Sequence, residues 1–341
     1  MQARFGIIEI PRSIASAVDN ARLAEEVGFD WVGVADSQSL FRELFVTLGA
    51  VGQATERVMV GPSVTNPLTR HPAVMASAIA SVDELSNGRA MLGIATGDSA
   101  IYNLNERPRG LKGLKEYILA LRALLVGEHA EFAGKDIHTK WVGSQSDSPV
   151  PIYIAAEGPK TLELAGEVAD GVICGLGIAP DVVALQLEHL EIGAKRAGKT
   201  LDDLDVWALA RVNVGANKAR LVSEIRMELA STAHHAFRFT LDGKRVPPHL
   251  VDAIRAVQQG YKPAHHEDLG ESPNAALLQD GELLDYMSER FAVVGTADEC
   301  VDRIQAIRSS GFHQLLFTGF VDDRPGLIRT LGRDVFPRCR N

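Results

Sequence analysis

The stretch from Pro151 to Cys174, PIYIAAEGPKTLELAGEVADGVIC, is the unit from which the rest of the chain is built. Pro151 to Ala155 is an apolar run too short for a helix and reads as a buried strand. Pro159 to Ala169 carries a 3.6-residue apolar stripe and starts with Pro at a first-turn position, which suits a helix. Gly171 to Cys174 is a second short apolar run. A strand, a tight turn, a helix and another strand make a βα unit of a parallel sheet.

The same alternation extends outward in both directions. Towards the N-terminus the spacing predicts strands over 5–10, 31–35, 57–64 and 90–95, with helices over 13–27, 40–55, 72–86 and 111–126. Ser13 is an N-cap candidate for the first helix and Gly28 closes it. A polar excursion, Lys135 to Ser148, reads as a small hairpin or loop. Towards the C-terminus the pattern gives a helix over 180–197, a strand over 205–214 and a helix over 217–233. After an interruption come a helix over 297–309, a strand over 314–318 and a last helix over 325–334. Eight strands alternating with helices, with no break in composition, favour a single α/β domain over residues 1–341, a (β/α)8 TIM barrel. The interruption, 235–287, is rich in Pro and Gly and reads as an irregular insertion between strands seven and eight, on the side where barrels build lids.

Composition agrees with this reading and narrows the function. The 341 residues are 46% hydrophobic and 23% charged, which is ordinary globular usage, and the formal net charge is −9. That acidity opposes non-specific binding to nucleic acid or to anionic membranes. No apolar run approaches the length of a spanning helix, and the N-terminus has no signal-peptide pattern, so a cytoplasmic location is expected. Cys174, Cys300 and Cys339 are too far apart for a disulfide framework or a Cys-x-x-Cys metal site. Walker, Gly-x-Ser-x-Gly and Gly-x-Gly-x-x-Gly motifs are missing, which weakens kinase, hydrolase and nicotinamide-nucleotide readings.

Catalytic groups in such barrels sit at the C-terminal ends of the strands. That rule selects Glu9, Asp36-Ser37-Gln38, Ser63-Val64-Thr65-Asn66, Thr96-Gly97-Asp98-Ser99 and Glu157-Gly158-Pro159-Lys160-Thr161. Each has a plainer reading as a turn, a cap or a solvated strand end; their coincidence at one mouth is the signal. In the turn 157–161, free N–H groups at a helix start, the helix dipole, a Gly and the Thr161 hydroxyl suit a phosphate. Other clusters read less well. His265-His266-Glu267-Asp268 lacks zinc-site spacing, so no metal is expected. His234-His235 reads as a dipole-compatible pair at a helix C-terminus, and Arg70-His71 as a loop-to-helix junction.

At these residues the chain resembles the bacterial luciferase-like superfamily, most nearly its methylenetetrahydromethanopterin reductase branch. The segments that carry the resemblance are GPSVTNPLTRHPAVMASAIASVDELSNGRAMLGIATGD (61–98), AAEGPKTLELAGEVADGVI (155–173) and FAVVGTADECVDRI (291–304). The resemblance implies a flavin or deazaflavin at the C-terminal mouth. It places Ser63-Val64 at a bulge with a non-prolyl cis peptide behind the cofactor ring, followed by Thr65. It makes Asp36, Thr96, Gly97 and Asp98 contacts of ring or substrate. Ala156, Glu157, Gly158, Pro159 and Thr161 become the phosphate turn, and Glu9 an acid near the reacting face.

One departure stands out: several deazaflavin relatives have His directly after the second-strand Asp, where this chain has Ser37. The departure favours FMN. The expected function is therefore an FMN-dependent monooxygenase in which reduced FMN and O2 act on a small organic substrate, with Glu9, Asp36 and Asp98 handling protons or orienting the substrate. A separate flavin reductase would supply the reduced flavin, and a homodimer is implied. The alternatives are hydride transfer with a deazaflavin coenzyme and no O2, or a non-catalytic flavin-binding protein.

Overall fold

The computed structural model describes residues 2–143, 149–266, 268, 270, 272–279 and 281–340. Its strands are β1 (Arg4–Glu9), β2 (Trp31–Val34), β3 (Met59–Pro62), β4 (Leu92–Ile94), β5 (Ala130–Phe132), β6 (Lys135–Ile137), β7 (Ile152–Ala156), β8 (Gly171–Cys174), β9 (Asp205–Val214), β10 (Ala292–Gly295) and β11 (Gln314–Thr318). Eight of them lie side by side in the order β3-β2-β1-β11-β9-β8-β7-β4. Every pair in that order is parallel. Parallel bridges from Val60 to Ala90 and from Thr65 to Ile94 join β3 to β4 and close the ring. The eight expected strands are these eight, with ends displaced by a few residues.

Side chains alternate across each strand, as the two-residue repeat requires. Phe5, Ile7, Val32, Val34, Val60 and Leu92 point outward and pack with the surrounding helices. Trp31, Met91, Tyr153, Ile173, Trp207 and Leu316 fill the barrel. Trp31 and Trp207 meet edge to face, 5.0 Å between ring centroids. Beneath them the Asp205 carboxylate accepts from the Tyr153 hydroxyl at 2.6 Å and from Trp207 Nε1 at 3.0 Å, and pairs with Arg4. This polar plug fills the N-terminal end, which leaves the C-terminal mouth for a site.

Two sequence expectations change. The hairpin is β5–β6, which starts ahead of the predicted polar stretch; residues 144–148 of that stretch lie outside the described residues. The interruption 235–287 is less irregular than its Pro and Gly content suggests. It begins inside the helix Arg226–Phe237 and contains the helix Val251–Gly260 and most of the helix Glu282–Phe291. Leu229, Phe237, Ile254, Met287 and Phe291 give these helices a core of their own. Ile254 and Val257, three residues apart, supply the helical stripe. The extra strand β10 then returns alongside the end of β9, with Ala292 opposite Arg211. No helix among the described residues is long and apolar enough to cross a membrane.

Candidate active site

The C-terminal mouth holds a cavity of about 740 Å³. Ile8, Ile10, Ile173 and Leu209 line its deep end. Ser63 and Val64 form one wall, and the peptide bond between them is cis. Gly33 on β2 makes room for that wall, because a Cβ there would stand 2.2 Å from Ser63 Oγ. Gly97 has φ +103, a conformation that favours glycine, and it turns the chain between Thr96 and Asp98, which also line the cavity.

The predicted acids have separate fates. Glu9 does not reach the cavity. Its neighbours Ile8 and Ile10 point inward, so the two-residue repeat turns Glu9 outward. There Oε1 accepts from Arg324 Nε at 2.9 Å and Oε2 from Asn20 Nδ2 at 3.0 Å. Ala156 likewise faces the helix layer instead of the phosphate turn. Asp36 does line the cavity, but its Oδ2 accepts from the Thr65 hydroxyl at 2.6 Å and from Arg70 Nη1 at 2.7 Å. Arg70 continues to Glu43 at 2.7 Å, so this carboxylate is already neutralised. Ser37 is buried and accepts from the Ser99 hydroxyl at 3.0 Å.

Asp98 lines the cavity among titratable groups. Its carboxylate pairs with His235 Nδ1 at 3.0 Å, with Arg238 Nη1 at 3.2 Å and with His234 Nε2 at 3.5 Å. Burial opposes its charge, but His235, His234 and Arg238 hold the carboxyl well below the usual range. Burial also opposes charge on His235, yet the Asp98 carboxylate raises its pKa overall, so the imidazolium is favoured. Behind His235 stands His266, which burial and the positive charge of His235 push down to about 3. The Tyr261 hydroxyl hydrogen-bonds His266 Nδ1. A charged and a neutral imidazole thus sit side by side, their ring centroids 5.3 Å apart.

Ligand atoms of Asp98, His235 and His266 come within 4.8 Å of one another, close enough to consider a cation. Arg238 already pairs with the single carboxylate, and its positive charge opposes a divalent ion at that place. Among the described residues of the run 265–268, only His266 reaches this cluster. His265 turns to Asp268 at 2.9 Å, and Glu267 lies outside the described residues.

The turn 157–161 starts the helix Pro159–Val168, whose Gly158 N-cap offers no side-chain hydrogen bond. Glu157, Gly158, Pro159 and Thr161 line the cavity. Lys244, from the insertion, packs on this turn: a Cβ at Gly158 would meet Lys244 Cε at 3.3 Å. The ammonium donates to Ala236 O at 2.8 Å, and burial lowers its pKa to about 8. Arg290 fixes that loop by donating to Lys244 O at 2.7 Å and Leu176 O at 3.0 Å.

Sequence reasoning missed His235, Arg238, Lys244 and His266. All four lie on the insertion, far in sequence from the strand ends they face. A signal existed for His235: a polar pair on an otherwise buried helix has to find a partner.

Comparison with known proteins fits this geometry. Residues 3–314 match the model of the family described as luciferase-like monooxygenase. The chain is 32% identical to the 5,10-methylenetetrahydromethanopterin reductase of Methanolobus tindarius, covering 97% of this chain and 99% of that one. It is 30% identical to the F420-dependent glucose-6-phosphate dehydrogenase of Nakamurella multipartita, covering 94% and 91%. In fold it is similar to the coenzyme F420 dependent tetrahydromethanopterin reductase of Methanopyrus kandleri, with a TM-score of 0.80 over 99% of this chain and 100% of that one at 24% identity. A closed parallel barrel with a polar cavity at its C-terminal mouth and full-length relatives that are named enzymes lead to one assignment: this chain belongs to the luciferase-like family and is an oxidoreductase.

Proposed function

We propose that this oxidoreductase moves a hydride between a deazaflavin of the F420 type and a small organic substrate, without consuming O2. The observation that carries the cofactor choice is the likeness along nearly the whole chain to an enzyme named for F420. This replaces the FMN monooxygenase as the leading reading. The argument for FMN rested on Ser37 standing where relatives have His. In the folded chain Ser37 is buried against Ser99, and the acid–base capacity lies instead in the Asp98–His235 pair.

The cavity suits an elongated cofactor with a flat ring and a phosphate. Ser63, Val64 and Thr65 would flank the ring, with Thr96 and Gly97 beside them. Glu157, Gly158, Pro159 and Thr161 would receive the phosphate: Gly158 presents no side chain, the helix start is uncapped, and Lys244 supplies a positive charge. When bound, a deazaflavin supplies or accepts the hydride. The chain's part is orientation, exclusion of water and management of one proton. His235 holds that proton in the cavity, and the Asp98 carboxylate keeps it there until a substrate atom of higher basicity is presented.

Equilibrium titration with oxidised F420 and, separately, with FMN tests the choice of cofactor. F420 should bind at least about tenfold more tightly, and an oxygen electrode should register no uptake when the reduced F420 complex meets substrate. Tighter FMN binding together with O2 uptake would restore the monooxygenase reading.

A further inference from the structure

Buried cations in this protein are matched one by one. Arg70 pairs with Asp36 and Glu43, Arg324 with Glu9, Lys244 with backbone carbonyls, and Arg290 with carbonyls and the Tyr286 hydroxyl. Arg211 is different. It is 7% exposed and lines the cavity, yet among the described residues it makes no close ion pair, and its buried Nε has no hydrogen-bond partner. A buried guanidinium with no hydrogen-bonded counter-ion is unfavourable, because its lost hydration is not replaced. Such a group persists where a ligand completes it.

Its surroundings say what that ligand is. Arg211 is the inward residue near the end of β9; it shares the cavity lining with Ile8, Ile10, Ile173, Leu209 and its register partner Thr318, and its charge acts on Glu228 and His266. Glu228, whose charge Arg211 favours electrostatically, accepts from the Phe320 N–H at 2.7 Å, and burial raises its pKa overall. Its Oε2 and the Arg211 Nε both lack a hydrogen-bond partner, so the two side chains do not complete one another. In the closed ring β9 is four strands from β3 in either direction, so Arg211 faces the Ser63-Val64 wall from across the mouth. The phosphate place at 157–161 has its own cation in Lys244.

We infer that Arg211 receives a carboxylate of the substrate, so that the enzyme acts on organic acids. The planar fork of a guanidinium matches the two oxygens of a carboxylate, and an apolar setting strengthens the pair. This inference rests on the reading that a cofactor ring lies against Ser63-Val64, which leaves the β9 side to substrate.

The test uses benzoate and its neutral isostere benzamide as probes. Each is titrated by calorimetry into the protein without cofactor and into its F420 complex, so that no turnover is needed. Benzoate should bind about tenfold or more tightly than benzamide in both forms, the amount expected for a charged hydrogen-bonded pair. Arg211→Met should remove the preference and Arg211→Lys should keep part of it. Glu228→Gln should leave it intact or increase it, and it tests the site even if Arg211→Met fails to fold. Equal binding of the two probes, absence of benzoate binding, or a preference that survives Arg211→Met overturns the proposal. A preference abolished by F420 also overturns it, because Arg211 would then belong to the cofactor. Failure of F420 to bind at all defeats the cofactor reading and is scored separately from the benzoate preference.

Discussion

The two sides of the mouth treat charge in opposite ways. On the side of β1, β2 and β3, the acids at the strand ends are consumed internally: Glu9 by Arg324 and Asn20, Asp36 by Arg70 and Thr65. On the side covered by the insertion, cations outnumber the acids they meet: His235 and Arg238 share the carboxylate of Asp98, Lys244 lies over an uncapped helix start, and Arg211 makes no close ion pair among the described residues. Position at a strand end therefore does not make an acid functional. What differs is the counter-charge: arginine for Glu9 and Asp36, a titratable imidazole beside arginine for Asp98. The first side is a frame and the second a receptor.

Exchanging one residue from each side gives the widest separation. His235→Gln removes the held proton from the receptor side while keeping a polar side chain. Turnover should fall by about 10²–10⁴, the usual worth of a positioned acid or base. A profile of kcat against pH should also lose the limb that reports His235. If turnover in this variant stays near that of the parent, His235 is not the proton holder.

Glu9→Ala makes the reverse change. It strands the Arg324 guanidinium in a buried place and should cost about 3–5 kcal/mol of folding stability, the range for breaking a buried pair. Urea denaturation measures this directly. Turnover per folded molecule should stay close to that of the parent, since the side chain faces away from the cavity. A turnover defect without a stability loss would return Glu9 to the mechanism and erase the contrast between the two sides.

The frame was legible because parallel barrel strands are continuous apolar runs, and their count survives small errors at the ends. FGIIEI and DVWALARVNV announce strands wherever their boundaries are drawn. What the runs conceal is parity. Glu9 lies between two inward isoleucines, and without the register it cannot be told from an inward acid. Asp36 was read correctly as lining the mouth, but its partner Arg70 is 34 residues away and no local pattern reveals the pair. The receptor side was the harder half. His235 lies 137 residues after Asp98 in the chain, and Pro and Gly in the insertion masked helices that carry a core. Arg211 was passed over too, although a lone charge inside the apolar run DVWALARVNV marks it.

Acid stability distinguishes the sides a third time. His266 is held neutral, with its pKa pushed down to about 3 from the ordinary 6.5. Its contribution is complete above about pH 6.5 and is lost as the pH falls towards 3, because the unfolded chain binds the proton first. Asp98, lowered well below its usual range, loses its contribution in acid as well. His235 acts in the opposite sense. Its raised pKa stabilises the fold below about pH 6.5, and that gain is lost as the pH rises through the folded value. The melting temperature should therefore decline from about pH 6 to pH 4, and His266→Gln should make the decline shallower. An unchanged slope in that variant would mean that the insertion does not govern acid unfolding.

The smallest expected effect concerns Lys244. Lys244→Met removes one charge from the phosphate place and should weaken F420 binding by about tenfold, with the effect diminishing as salt is added. The pH dependence has a definite sign. In the protein without cofactor the ammonium loses its proton near pH 8, because burial lowers its pKa to about that value. Affinity for a phosphate-bearing cofactor should fall as the pH rises through that point. Binding a phosphate favours the charged amine, so the midpoint in the complex must lie higher than in the free protein. The Lys244→Met variant should show no such fall, and at high pH the two curves should converge. Curves that stay parallel would assign the whole effect to the helix start, and the receptor side would then hold the phosphate by backbone alone.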